Sequence, residues 1–181
     1  MVTCTRRRSV DCRTGFGEQG VDARLDVALT DHWRLTALHQ RLRQDDVWRT
    51  HAMVFSRPFK GTTVGADRLR LKDQARTLSY VRLQGQTPGP AIDSARFTVS
   101  HQQWTEDGER IRANGRALLE NFKSNMSGID VELSSHLRAI DLRYGFDYYQ
   151  DNVDSHGARF AADGQLLGVN VQGPEIGRAH V

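Results

Sequence analysis

A chain of 181 residues with 38% hydrophobic and 26% charged side chains has the composition of one folded domain, not of a disordered segment. No run reaches the roughly 18 apolar residues of a transmembrane helix; membrane β-strands, which need only about 10 alternating residues, are not excluded. The net charge of +3 comes wholly from the two ends, where Arg6, Arg7, Arg8, Arg13 and Arg178 outnumber Asp11 and Glu175, so it is not read as a nucleic-acid footprint.

The ends read as foreign to the rest. Residues 1–14 carry charge with no apolar stretch behind it, so they are not a secretory leader, and they lack periodicity. They are expected to be non-native. Both cysteines, Cys4 and Cys12, fall there and form neither a metal spacing nor a redox motif. Ile176-Gly-Arg-Ala-His-Val181 is what one frame of a common sequencing-library adapter encodes, so 175–181 is expected to be read-through. Different codons in the nucleotide sequence would refute that. The fold signal lies in 15–174.

That signal has period two. From Val21 to Leu29 the odd positions Val21, Ala23, Leu25, Val27 and Leu29 are apolar, while Asp22, Arg24 and Asp26 are charged. Strand side chains alternate between faces, so this pattern makes one greasy and one wet face; a helix would scatter the charges around its axis. Thr30-Asp31-His32 predicts a tight turn, and Trp33 to Gln44 a second strand. A long polar stretch, 45–72, follows. A third strand is expected over 74–86, with mixed parity, because Leu78 and Tyr80 oppose Val81 and Leu83. Thr87-Pro-Gly-Pro90 forces a turn. Ser94 to Trp104 alternates again, setting Ala95, Phe97 and Val99 against Arg96, Thr98 and Ser100. A second long connection is read over 105–125, with a short helix conceivable within 109–122. Ser127 to Leu137 and Ile140 to Tyr149 complete six strands, and a third polar stretch runs on from Asn152.

The connections thus read short, long, short, long, short, long. An outer-membrane barrel keeps brief turns at its periplasmic end and long loops outside. The expected fold is therefore all-β, an antiparallel up-and-down meander of about six strands within a larger transmembrane barrel. Trp33 at one end, and Trp104, Tyr148 and Tyr149 at the other, suit interfacial girdles. His39 and Arg41 share parity with Leu35 and so turn toward lipid, Arg41 near the outer edge where phosphates accept it.

No catalytic constellation is found, and an enzyme is not expected. The histidines His32, His39, His51, His101, His136 and His156 are scattered without ligand spacing, so no metal and no cofactor is expected. Asp151-Asn-Val-Asp-Ser155 lacks the glycine and distal glutamate of a calcium loop. Gly15-Phe-Gly17-Glu-Gln-Gly20 precedes an alternating strand and opens no helix, so it is no dinucleotide motif.

The chain resembles TonB-dependent outer-membrane receptors. The residues concerned are Gly17-Glu-Gln-Gly-Val-Asp-Ala-Arg-Leu-Asp26, Trp33 to Leu38 with Gln44-Asp-Asp46, Leu71 to Gln74 with Leu78-Ser-Tyr80, and Leu142 to Asp151 followed by Val153-Asp-Ser155. The resemblance covers about 15–174. It implies a 22-stranded barrel in the bacterial outer membrane that imports a scarce ligand of the ferric-siderophore, haem or cobalamin class. It also implies outer-membrane lipid as partner, coupling to TonB through a plug and TonB-box that this sequence lacks, and no nucleic acid. The chain alone is then expected not to transport. On this reading His51, Arg57, Arg110, Arg112 and His156 are ligand-facing loop candidates. Asp22, Arg24, Asp26, Arg96, Asp130, Glu132, Asp141, Arg143 and Asp147 face the lumen. The alternative is a soluble β-meander ligand-binding module whose apolar face covers its own core.

Overall fold

A computed structural model describes residues 15–49, 65–87, 89 and 91–176. It contains seven strands, β1 (Gly17–Ala28), β2 (Trp33–Trp48), β3 (Asp67–Gln86), β4 (Ser94–Arg112), β5 (Ala117–Leu137), β6 (Ile140–Phe160) and β7 (Leu166–Ile176). They form one open antiparallel sheet in chain order. The all-β meander of the sequence reading is therefore present, with one strand more than expected.

Two readings are corrected. The segment 105–125 is neither a long connection nor a helix, because β4 and β5 run through it as a paired hairpin, and the stretch from Asn152 onward is the outer half of β6 followed by β7. Both hairpins close on the same tight turn. Ala113-Asn114-Gly115 and Ala162-Asp163-Gly164 each place glycine at positive φ, 85° and 87°, a backbone that other residues reach only with strain. The Asn114 and Asp163 side-chain oxygens accept the amides of Arg116 and Gln165 at 3.1 and 3.0 Å, which pins each turn. At the opposite end, Leu137 pairs with Ile140 across Arg138, whose φ is 57°.

The turns at that end descend in step. Tracing one rung of the ladder from Trp33 through Gly85, Ala95 and Leu133 leads to Tyr144. The β1–β2 turn starts on this rung, where the Leu29 amide donates to the Trp33 carbonyl at 2.9 Å. The β5–β6 turn lies four residues lower, at Leu137 and Ile140. One residue of stagger per strand, at about 3.3 Å along and about 4.8 Å across, corresponds to a strand tilt of about 35°, within the range of closed barrels.

Among the described residues no layer covers either face. Among the described residues Ala95 is the only buried hydrophobic side chain, whereas Leu25, Val99 and Phe146 are 61%, 59% and 61% exposed. Alternation puts Val21, Ala23, Leu25 and Val27 on the same face as Leu35, Val81, Phe97, Val99, Ile129 and Phe146, joined rung by rung across β1–β6. The resulting apolar belt follows the stagger of the turns. In β1 it is centred on Leu25, whose rung ends at Tyr148; in β6 it runs from Ile140 to Tyr148 and is centred on Tyr144, four residues lower. Tilting the strands by about 35° therefore levels the belt, at a height of about 22 Å.

Candidate functional site

The face opposite the belt carries the charge. Asp22, Arg24 and Asp26 of β1, Arg96 of β4, Asp130 and Glu132 of β5, and Asp141, Arg143 and Asp147 of β6 all lie on it by register. Arg24 Nε donates to Asp26 at 2.7 Å, and the Thr36 hydroxyl donates to the same carboxylate at 2.6 Å. Arg96 bonds Glu132 and lies 3.8 Å from Asp130, while Arg143 approaches Glu132 at 3.6 Å. Glu132 thus links three strands. Such cross-strand pairs contribute roughly 0.2–1 kcal/mol each.

Beyond the belt the two faces exchange character. On the charged face appear Leu38, Leu42, Leu78, Tyr80, Trp104, Met126 and Tyr149, while the belt face turns polar at the rung His39–Ser79–His101–Ser127–Gln150. This exchange explains the mixed parity of β3: Val81 and Leu83 belong to the belt, and Leu78 and Tyr80 to the opposite face further out. It also corrects the aromatic reading, since Trp104 and Tyr149 lie opposite Tyr148 and leave Trp33 and Tyr148 at the two rims of the belt. The Tyr149 ring lies over Gly128, where any Cβ would overlap it. Arg82 sits 5.1 Å over the Tyr80 ring and donates to Thr98 at 3.2 Å, and Arg76 donates to Gln102 at 2.8 Å.

The loop candidates fare differently. His51 and Arg57 lie outside the described residues. Arg110 and Arg112 end β4, and His156 sits within β6, so none of these three occupies a loop. Arg110 is committed to structure: its Nε meets both oxygens of Asp67 at 2.9 Å, and Asp67 is 1% exposed. Replacing Asp67 with Ala is expected to cost about 1–3 kcal/mol, the penalty for leaving a charged donor unpaired. Urea unfolding would measure this, and an unchanged midpoint would contradict it.

On the belt face, His39 Nδ1 lies 2.9 Å from the Ser79 hydroxyl, and His101 Nδ1 lies 3.1 Å from that of Ser127. Arg43 Nε donates to Asp45 at 2.9 Å, and that carboxylate raises the guanidinium pKa above its ordinary value. Asp151 to Ser155 is paired strand and no cation loop. Among the described residues no three His, Cys, Asp or Glu side chains are placed to hold a metal ion.

No family model, curated protein or solved structure matches the chain.

Proposed function

We propose that the chain is a section of the wall of a TonB-dependent receptor in the bacterial outer membrane, within a 22-stranded barrel that imports a scarce ligand of the ferric-siderophore, haem or cobalamin class. The belt carries this reading. A contiguous apolar surface left open to solvent is a liability for a soluble protein, whereas a band about 25 Å tall is what a barrel presents to lipid. The levelled belt is about 22 Å tall, with Trp33 and Tyr148 at its rims, where interfacial aromatics belong. The charged face then lines the lumen. Strands β4, β5 and β6 continue beyond Val99, Ile129 and Tyr148 for about 40 Å, far more than a bilayer requires, and so rise above the membrane as hairpins. These hairpins take the place of the long loops of the sequence reading. The free edges of β1 and β7 await the remaining strands, because unpaired backbone is not tolerated in hydrocarbon.

Expression without a secretion leader tests the reading. The chain is expected in inclusion bodies and to regain β-structure only with detergent or lipid. A monodisperse monomer in plain buffer would favour the soluble module.

A further inference from the structure

At its outward end the charged face carries a row of arginines. The Arg49 amide donates to the Arg70 carbonyl at 2.9 Å, so Arg49 extends the ladder beyond β2, directly opposite Arg70. Arg70 is paired in turn with Arg110, Arg110 with Leu118, and Leu118 with Arg159. One rung thus sets guanidinium groups side by side at about 4.8 Å per strand, all on the face opposite the belt, with Leu118 as the one interruption. Like charges directly opposite each other destabilise a sheet. Little on this part of the face offsets them. Arg110 is held by Asp67, and Lys72 nearby is bonded to Glu106. The side chains of Arg49, Arg70 and Arg159 have no carboxylate or hydrogen-bond partner among the described residues, and Arg49 Nε is also shielded from solvent. Glu120, one rung inward beside Gly108, offsets one of these three charges.

We propose that this row is a binding site for an oligoanion, a ligand carrying three or more carboxylate or phosphate groups in line. A guanidinium presents parallel donors to either group, and anions spaced at about the strand separation can each meet one arginine. The bound ligand replaces the repulsion between Arg49, Arg70 and Arg110 with alternating charge, and it gives the shielded Arg49 Nε an acceptor. From Arg110 the ligand crosses Leu118, an apolar side chain, to reach Arg159. The row stands beyond the belt, on the outward hairpins, so the site does not rest on the membrane reading and holds for a soluble module as well.

Isothermal titration calorimetry of the full chain in detergent micelles tests it, with tripolyphosphate and trigalacturonate as oligoanions and orthophosphate and galacturonate as their single-group counterparts. A chain that needs no detergent is titrated in buffer, so failure of the membrane reading leaves the test intact. At least one oligoanion should bind about tenfold or more tightly than its counterpart, and the tighter of the two identifies the anionic group. Arg70→Gln and Arg159→Gln should each weaken that binding about tenfold. Arg70→Gln removes an opposed charge, so the ligand-free variant should unfold at the same or a higher urea concentration than wild type, which separates lost binding from lost fold. Arg34→Gln, on the same face about 45 Å inward, should leave binding unchanged. The proposal is overturned if neither oligoanion binds more tightly than its single-group counterpart, or if Arg70→Gln and Arg159→Gln bind as wild type does. It is equally overturned if Arg34→Gln weakens binding as much as they do, since that is diffuse attraction to net charge.

Discussion

Phe97→Arg is expected to lower the stability of the lipid-embedded chain by about 2–4 kcal/mol, the cost of a cation near the bilayer midplane on a barrel's outer surface. Phe97 lies mid-belt on a central strand, with Leu83 and Val131 beside it on the same rung. Gln103 occupies the same strand and face, beyond the polar rung at His101, so Gln103→Arg should cost only about 0–1 kcal/mol. The contrast between the two is the prediction. Both positions are solvent-accessible in the isolated sheet, and a surface substitution in water shifts stability by roughly 0.5 kcal/mol either way. Urea unfolding from phospholipid vesicles would measure both variants, and equal small effects would remove the belt from contact with lipid.

Gly145→Val should be the most damaging change on the charged face. A Cβ at Gly145 would overlap the Val131 carbonyl oxygen and come within 3.0 Å of Glu132 Cα, so backbone has to move. Overpacking of this kind costs about 1–3 kcal/mol, and here it also falls on the strand that presents Glu132 to Arg96 and Arg143. Gly157, on β6 like Gly145, is the control. The nearest atom to its Cβ position is the Leu119 carbonyl oxygen at 3.9 Å, so Gly157→Val fits, and a β-branched residue suits a strand. Comparable losses at the two glycines would show that the close approach at Gly145 is not limiting.

What was legible in the sequence follows from where the environment differs between the two faces. Val21 to Val27, Ala95 to Val99 and Ile140 to Tyr148 alternate cleanly because one side is apolar and the other charged, so these stretches are legible as strands and the starts of β4 and β6 at Ser94 and Ile140 are correct, whereas their outer ends at Arg112 and Phe160 are not. The outer halves of β4 and β5 were missed for the opposite reason. Around Gln102, Gln103, Thr105, Glu106 and Asp107 both faces are polar, so alternation vanishes while the backbone ladder continues. A signal was nevertheless present. Asn114-Gly115 and Asp163-Gly164 are strong short-range hairpin dipeptides, and each marks a turn that had been read as loop. The mixed parity of β3 recorded the exchange of faces, which becomes visible only when register joins Leu78 and Tyr80 to Leu38, Met126 and Tyr149 on neighbouring strands. The nine charged residues assigned to one side do share a face, since parity alone decides that within each strand. The loop candidates depended on loop boundaries, and Arg110, Arg112 and His156 proved to be strand residues.

Spin labels placed singly along β4 and β6, at Phe97, Thr98, Val99, Phe146 and Asp147 in the vesicle-bound chain, test the assignment of the two faces most directly. The labels at Phe97, Val99 and Phe146 should collide with oxygen dissolved in hydrocarbon, and those at Thr98 and Asp147 with a water-soluble nickel chelate. Labels at Phe97, Val99 and Phe146 that were immobile and shielded from both agents would place those side chains in a packed interior and contradict the account.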